Sequence, residues 1–203
     1  MPASERERME RHLRLSVDRM PARDALYTLS PSNDSTIAIE VFKTGMMRRK
    51  KHILFFETFN GTLHYAADEP QASSVDILVD ARSVLCRDTW LSKKKQEQVT
   101  AYARHQALEA DQYPDIRFSS TRIATKELRG FVAEGELKIR GVGRMMKVNV
   151  VLSPMKRDRF QVDGDATVCL SDFGIKPPSR LFGLAGTNDQ ALVRFLLWAT
   201  PAP

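Results

Sequence analysis

The sequence has little cysteine and no long apolar run. Its 203 residues include only two cysteines, Cys86 and Cys169, which is too few for the disulfide framework of a small secreted scaffold. We therefore expect both side chains to be reduced thiols. No segment contains the ~20 consecutive apolar residues that a membrane-spanning helix needs. The sequence thus excludes a disulfide-stapled protein and predicts no helical membrane span.

The first residues lack the apolar core of a secretory signal, because acidic and basic residues alternate from Glu5 to Arg11. We therefore predict a cytoplasmic protein. Residues 1–22 are interpreted as a charged helical arm, since their apolar side chains recur three and four positions apart. Three roles stay open for this arm: packing on the following domain, peripheral contact with a membrane, and contact with a second subunit in a homodimer.

The sequence also lacks a recognisable catalytic motif. It contains no nucleophile elbow, phosphate loop or dinucleotide fingerprint, and its four histidines do not have the short paired spacing of a zinc site. Two acidic pairs, Glu134 with Glu136 and Asp163 with Asp165, are spaced like acid–base pairs, but the strand pattern places them on outer faces. We therefore predict no catalytic residue, no metal site and no cofactor, and hence a protein that is not an enzyme.

Basic residues outnumber acidic ones, which gives a formal net charge of +6 and an isoelectric point near 9.5. This balance favours anionic partners such as phospholipid headgroups, phosphorylated small molecules or nucleic acid. The nucleic-acid interpretation is the weaker one, because no basic strand is interleaved with aromatic side chains as in an RNA-binding sheet.

What the sequence has in quantity is two-residue alternation. From Phe131 to Arg140 apolar and charged side chains alternate, and the alternation resumes from Arg144 to Leu152 after Gly141-Val142-Gly143. Period-two patterning is typical of a strand with one buried face. We predict a β-hairpin whose turn depends on the conformational freedom of glycine.

The same alternation recurs along most of the chain. Further strands are predicted within residues 36–45, 53–65, 75–84, 116–120, 160–170 and 191–199, and one helix at about residues 88–110, where glycine and proline are absent. Antiparallel strands joined by short turns favour an all-β, up-and-down barrel of about eight strands, because closure removes exposed sheet edges. A sandwich is the alternative. We assign residues 23–203 to this barrel domain.

In a closed barrel, one face of every strand points into the lumen. The residues predicted to face it are Ile37, Ile39, Val41, Phe56, Ile77, Val79, Phe118, Ala133, Gly135, Leu137, Ile139, Val148, Val150, Val162, Gly164, Ala166, Val168, Val193 and Phe195. The small members of this set, Ala133, Gly135, Gly164 and Ala166, are expected to leave room for a ligand. The alternative is that large neighbours fill the space and make an ordinary packed core.

Several short segments resemble the YceI-like family of lipocalin-like, polyisoprenoid-binding barrels. They are residues 56–63 (FETFNGTL), 79–84 (VDARSV), 113–121 (YPDIRFSST), 135–142 (GELKIRGV) and 171–175 (SDFGI). Their order and spacing extend the resemblance over about residues 27–198.

The resemblance implies a non-catalytic carrier that holds an isoprenoid or similar long apolar lipid inside the barrel. An anionic headgroup would then meet basic residues at one barrel end, and the candidates are Arg48, Arg49, Lys50, Lys176 and Arg180. The alternative is a basic nucleic-acid-binding or structural dimerisation module with a solid barrel core.

Overall fold

A computed structural model describes residues 24–126, 130–155, 159–180 and 185–203. The strands are β1 (Asp24–Leu29), β2 (Thr36–Gly45), β3 (Lys51–Phe56), β4 (Phe59–Ala66), β5 (Ser74–Asp80), β6 (Val84–Cys86), β7 (Asp115–Thr125), β8 (Gly130–Ile139), β9 (Val142–Pro154), β10 (Phe160–Cys169), β11 (Ser179–Arg180) and β12 (Ala185–Pro201). The α-helix is α1 (Lys93–Tyr102), and a π-helical turn follows it at Ala103–Ala107. The predicted amino-terminal arm lies outside the described residues.

These segments form one closed antiparallel barrel, which confirms the predicted fold class. Strands β1 and β2 both pair with β12 and so act as one interrupted barrel strand. Strands β3 and β4 likewise form one interrupted barrel strand, and β5 and β6 form its neighbour. Strand β4 pairs with β5 in one half of the barrel, and β3 pairs with β6 in the other. With β7, β8, β9, β10 and β12, eight barrel strands result, and the β1–β12 pairing closes the ring.

The predicted hairpin is present, but its turn is one residue earlier than the glycine spacing indicated. Ile139 pairs directly with Val142, so the turn consists of Arg140 and Gly141 and strand β9 begins at Val142. Both turn residues have positive φ, 51° and 75°, as a two-residue hairpin that matches the strand twist requires. Gly143 therefore lies in the strand, opposite Lys138.

The internal helix is shorter than the predicted span of about 88–110. Asp88 is buried and bound to β3, which keeps the residues before Lys93 in a turn. The first helical N–H groups, of Lys95 and Gln96, donate to the Ser92 carbonyl oxygen. At the other end Glu109 takes a φ of 48°, a left-handed conformation that ends a helix.

The last strand is longer than the predicted Ala191–Ala199 segment. Strand β12 begins at Ala185, and Ala185 and Gly186 pair with Gly45 and Thr44 of β2. The glycine-rich composition favoured a loop here, but an available edge of β2 provides ladder partners for the backbone. A register shift between Thr187 and Ala191 separates this segment from the rest of β12.

The two barrel ends differ in which connections they carry. One end, called the mouth end below, carries the β2–β3 turn, the segment from β6 through α1 to β7, and the β8–β9 turn. The opposite end carries the β4–β5, β7–β8 and β9–β10 connections and the carboxyl terminus. Among the described residues, no helix is long and apolar enough to cross a bilayer.

Candidate functional site

The barrel encloses a cavity of about 650 Å³, so its interior is not packed solid as the alternative interpretation required. Every residue predicted to face the lumen lines this cavity except Gly135 and Gly164. The lining is mainly aliphatic and aromatic side chains that project inward at every second position of the strands. The described chain therefore surrounds an apolar space within the 300–1,000 Å³ range of ordinary ligand pockets.

Gly135 and Gly164 do not leave space for a ligand, which corrects one expectation. A Cβ atom on Gly135 would come within 2.3 Å of the Ser119 carbonyl oxygen and 2.9 Å of Phe118 Cζ. On Gly164 it would come within 2.2 Å of Phe195 Cζ. At both glycines a phenylalanine ring and a neighbouring backbone segment occupy the place of the missing side chain. Aromatic rings that cover glycines in this way stabilise β-sheets.

Ala133 and Ala166 are the small residues that border the cavity. Their exposures are 1% and 4%, and they cluster with the nearly buried Ile123 and Val148. Because an alanine side chain ends at Cβ, these two positions leave part of the lumen unfilled. The prediction that small residues create room therefore applies to the alanines.

Aromatic side chains close the end of the barrel opposite the mouth. Tyr27, Tyr65 and Phe160 are 1%, 4% and 0% exposed. The Phe160 ring centroid lies 5.2 Å from each tyrosine ring centroid, in edge-to-face geometry, which is favourable for aromatic pairs. These buried rings form a floor that excludes water, and this burial raises the pKa of the Tyr65 hydroxyl above its ordinary value.

The exposed part of the lining lies at the mouth end. Met47 of the β2–β3 turn, Lys95 and Gln98 of α1, and Pro178 of the loop before β11 line the cavity and are exposed to solvent. Leu91, Val99 and Tyr102 line the same region and are only partly exposed. The helix thus covers part of the opening, and a route to solvent runs between α1, the β2–β3 turn and the loop before β11.

Two basic residues of the lining were missed by sequence reasoning, Lys43 and Lys95. Lys43 has the same parity as Ile39 and Val41, so continuing the alternation of β2 would have placed it inward. Lys95 lies three and four positions from Gln98 and Leu91, a helical spacing that would have grouped them on one face. The predicted lining contained only apolar residues and glycine, so it left out both lysines although their spacing places them on the lining face.

The predicted headgroup residues lie at the mouth end but are not part of the lining. Arg48, Arg49 and Lys50 are exposed in the β2–β3 turn, and Lys176 is exposed in the loop before β11. Arg180 lies in β11 and pairs with Ala185. The barrel therefore brings the basic turn and the 176–180 loop to one end, around an opening that Lys43 and Lys95 line.

A buried polar cluster adjoins the mouth. The Asp88 side chain, 1% exposed, lies 2.6 Å from His52 Nδ1 and accepts a 2.8 Å hydrogen bond from the Ile53 N–H group. The His52 ring stacks on Trp90 at 5.4 Å between centroids. These contacts fix the segment after β6 against β3.

The same cluster brings together the described residues that could hold a metal ion. Donor atoms of His52, Cys86 and Asp88 lie within 4.8 Å of one another, although the sequence separates His52 from the other two. The pairing of Leu54 with Cys86 explains this proximity. Burial, with Asp88 nearby, raises the pKa of the Cys86 thiol to about 11. Cys86 and Cys169 are both free thiols, as expected.

An ion pair joins three connections at the mouth end. The Arg140 guanidinium contacts the Glu109 carboxylate and donates a 2.9 Å hydrogen bond to the Gly174 carbonyl oxygen. Arg140 and Glu109 are also the two described non-glycine residues with positive φ. The side chain of a hairpin-turn residue thus ties α1's C-terminal segment and the 170–174 turn together.

The acidic pairs considered for catalysis lie away from the cavity. Glu134 forms a 2.9 Å ion pair with Lys147 on the outer sheet surface, and Lys147 lowers the pKa of the Glu134 carboxyl group. Asp163 accepts a 2.9 Å hydrogen bond from the Gln161 amide. These residues therefore belong to the solvated outer face, as the alternation predicted.

Comparison with known proteins gives a family match over most of the chain. A model of the YceI-like domain matches residues 27–196. UPF0312 proteins of Pseudomonas savastanoi and Pseudomonas syringae are each 25% identical over 132 residues, or 61% of this chain. The aligned region spans 63% of the length of those relatives.

Solved structures of distant sequence share the fold. BcnA of Burkholderia cenocepacia is 18% identical, with a TM-score of 0.62 over 81% of this chain and 96% of its own. A polyisoprenoid-binding domain of Saccharophagus degradans, implicated in plant cell wall breakdown, is 11% identical. Its TM-score is also 0.62, over 86% of this chain and 98% of its own. At these identities the likeness establishes the barrel architecture.

Proposed function

The chain belongs to the YceI-like domain family, and from this premise we propose that it is a non-catalytic carrier for an isoprenoid or similar long apolar lipid. The observation that supports the proposal most strongly is the 650 Å³ apolar cavity with one end open to solvent. The polyisoprenoid-binding domain with the same fold lends it further support.

The shape of the cavity favours a slender chain inserted from one end. The floor is closed by the aromatic cluster of Tyr27, Tyr65 and Phe160, whereas the lining at the opening includes Lys95 and Gln98 beside apolar side chains. Each buried methylene-sized group contributes about 0.8 kcal/mol of gross transfer free energy. About ten such groups would supply roughly 8 kcal/mol, part of which is lost to ordering and association.

The charges at the opening favour a ligand whose outer end is anionic. Lys43 and Lys95 line the mouth, and Arg48, Arg49 and Lys50 lie in the adjoining turn. A phosphate or carboxylate at the mouth would meet several cations while its apolar chain occupied the lumen. We therefore infer that the lipid enters with its chain first and leaves its headgroup at the rim.

Mass spectrometry of an organic extract from natively purified protein tests the proposal. An isoprenoid or other long-chain lipid should be recovered in stoichiometric amount from the wild type. The variant Ala133→Phe should reduce the recovered lipid severalfold, since the ring would occupy the lumen. The matched variant Ala124→Phe adds the same ring one strand away, on the outer face of β7, and should retain the lipid.

Two results would overturn the carrier proposal. One is repeated recovery of no lipid from wild-type protein that also takes up none when incubated with long-chain isoprenoid alcohols or phosphates. The other is equal lipid recovery from folded Ala133→Phe protein and the wild type, because bound lipid would then lie outside the lumen. Thermal unfolding of both variants establishes that each is folded.

A further inference from the structure

The most exposed large apolar side chain at the mouth end stands beside the opening. Met46 is 85% exposed and Met47 is 40% exposed, both in the turn that joins β2 to β3. Met47 also lines the cavity. Because two adjacent methionines are exposed, this turn presents an apolar tip to its surroundings.

Basic residues lie at the same end of the barrel as this apolar tip, and we call them the basic rim. The rim consists of Arg48, Arg49 and Lys50 in the β2–β3 turn and of Lys93, Lys94 and Lys95 in the first turn of α1. The Lys50 ammonium lies 5.3 Å from the Trp90 ring centroid. Because Trp90 and Lys95 both line the cavity, the two basic groups border the same opening.

The rim is not neutralised by its own elements. Helix α1 contains three lysines and one acidic residue, Glu97. Near the β2–β3 turn Glu40 forms its ion pair with Lys51, 2.8 Å away, which is outside the rim. Three lysines at a helix N-terminus are also unfavourable for the helix dipole. An external anionic surface would relieve both the charge repulsion and the dipole interaction.

We propose that the mouth end docks on an anionic phospholipid bilayer, with the basic rim over the headgroups and Met46 and Met47 inserted at the interface. An exposed apolar tip beside a group of cations is the combination by which peripheral proteins bind such surfaces. Trp90 at the same end is an aromatic side chain of the type enriched at membrane interfaces.

Docking in this orientation places the opening of the cavity against the lipid phase. The inference rests on the proposed function for its purpose, since an apolar chain could then pass between bilayer and lumen without crossing water. The docking itself does not depend on cargo. A nucleic acid fits the rim less well, because the most exposed apolar side chains beside it are methionines, and Trp90 is half-buried and already stacked on His52.

Vesicle flotation with the full chain measures the docking. Binding to vesicles of phosphatidylcholine containing about 30 mol% phosphatidylglycerol should be strong at low salt, weak in about 0.5 M salt, and weak on pure phosphatidylcholine. Each basic residue near an anionic surface strengthens binding about fivefold. The variant R48Q/R49Q/K50Q should therefore bind anionic vesicles on the order of 100-fold more weakly.

Matched variants separate the rim from general charge and apolarity. R122Q/K126Q/K147Q removes three basic residues from the outer face of β7 to β9, away from the mouth, and should retain most of the affinity. M46S/M47S should weaken binding severalfold. V151S/M155S changes two other exposed apolar residues, 45% and 39% exposed, toward the opposite end, and should leave affinity unchanged.

The two tryptophans report the orientation directly. Trp90 borders the mouth, whereas Trp198 contacts Arg159, with 4.8 Å from the guanidinium to the ring centroid, beside the closed end. With brominated lipids in the anionic vesicles, fluorescence of the W198F variant, which retains Trp90, should be quenched. Fluorescence of the W90F variant should not be quenched.

Four outcomes would overturn the inference: no wild-type binding to anionic vesicles at low salt, equal losses in the two triple variants, quenching of Trp198 in place of Trp90, or equal rim-dependent affinity for duplex DNA. The last would identify the rim as a nucleic-acid surface. Lipid extraction remains a separate readout, because a carrier could hold cargo without docking and a docking protein could float with an empty lumen.

Discussion

The two ends of the barrel are built from different interactions. The closed end is held by aromatic and aliphatic burial, with Tyr27, Phe160 and Leu197 at 0–1% exposure. The mouth end also relies on polar contacts between segments, among them the His52–Asp88 hydrogen bond and the Arg140–Glu109 ion pair. It also has buried apolar residues, among them Ile139, Leu170 and Ile175, but these line the cavity and so face open space on one side.

This difference assigns the stability of the fold and the access to the cavity to different ends of the barrel. Apolar burial is cooperative with the whole barrel, whereas hydrogen bonds between loops can break locally at lower cost. A carrier whose opening must admit a long chain needs the weaker kind of interaction at the mouth. We therefore expect the closed end to carry the global stability of the fold and the mouth end to open first.

The largest expected effect contrasts two leucines. Leu197→Ala at the closed end removes a fully buried side chain and should lower the free energy of unfolding by about 3–4 kcal/mol. Leu91→Ala at the mouth makes the same chemical change at a partly exposed position and should cost about 1 kcal/mol or less. Urea unfolding measures both, and equal losses would show that the ends are equally packed.

A second prediction concerns the buried Asp88 contacts of the mouth end. Asp88→Ala leaves His52 and the Ile53 N–H group without their partner and should cost about 2–3 kcal/mol. Asp88→Asn keeps one acceptor and should cost less. Amide exchange should accelerate in β3 and β6 but not at Phe160–Val162. A uniform acceleration would mean that the two ends unfold together.

A third prediction tests the link between the mouth connections. Arg140→Met removes the contacts to Glu109 and to the Gly174 carbonyl oxygen and should cost about 1–2 kcal/mol. Lys138→Met, at an exposed position of β8 just before the turn, is the matched control and should be close to neutral. Similar losses in the two variants would show that the Arg140 contacts contribute nothing specific.

The barrel was predictable because alternation fixes which side chains face inward. Ile37, Ile39 and Val41 needed no tertiary information to be placed in the lumen, since a strand allows only two faces. Short turns between antiparallel strands favoured a closed barrel, and the family resemblance favoured the barrel over the sandwich. Alternation could not show that Gly135 and Gly164 lie under Phe118 and Phe195, because that depends on register between neighbouring strands.

The mouth was less predictable because it is made of tertiary contacts between distant segments. His52 and Asp88 are 36 positions apart and meet only because β3 pairs with β6. The pairing of Ala185 and Gly186 with β2 likewise overrides a local glycine-rich preference for a loop. The alternation of β2 could have predicted that Lys43 lines the cavity, whereas no sequence pattern predicts how α1 lies over the opening.

The smallest expected effect is a pH dependence confined to the mouth end. Asp189 accepts a 2.8 Å hydrogen bond from the Ser171 N–H group and a 2.6 Å hydrogen bond from its hydroxyl. These bonds hold the pKa of the Asp189 carboxyl group below its ordinary value of 3.8. A carboxyl group whose pKa is lower in the folded state stabilises that state above its ordinary pKa, and the contribution disappears as the pH falls through the folded value.

Acidification should therefore loosen the 170–174 turn from β12 before it affects the floor of the cavity. Amide exchange at Ser171, corrected for its intrinsic pH dependence, should lose protection as the pH falls below about 4, while Phe160 and Val162 keep theirs. In Asp189→Asn the Ser171 amide should be less protected at neutral pH and insensitive to acid, and Asp34→Asn controls for the loss of one carboxylate from an exposed turn. If Ser171 and Phe160 lose protection at the same pH, acid unfolds the barrel as one unit and the mouth has no separate stability.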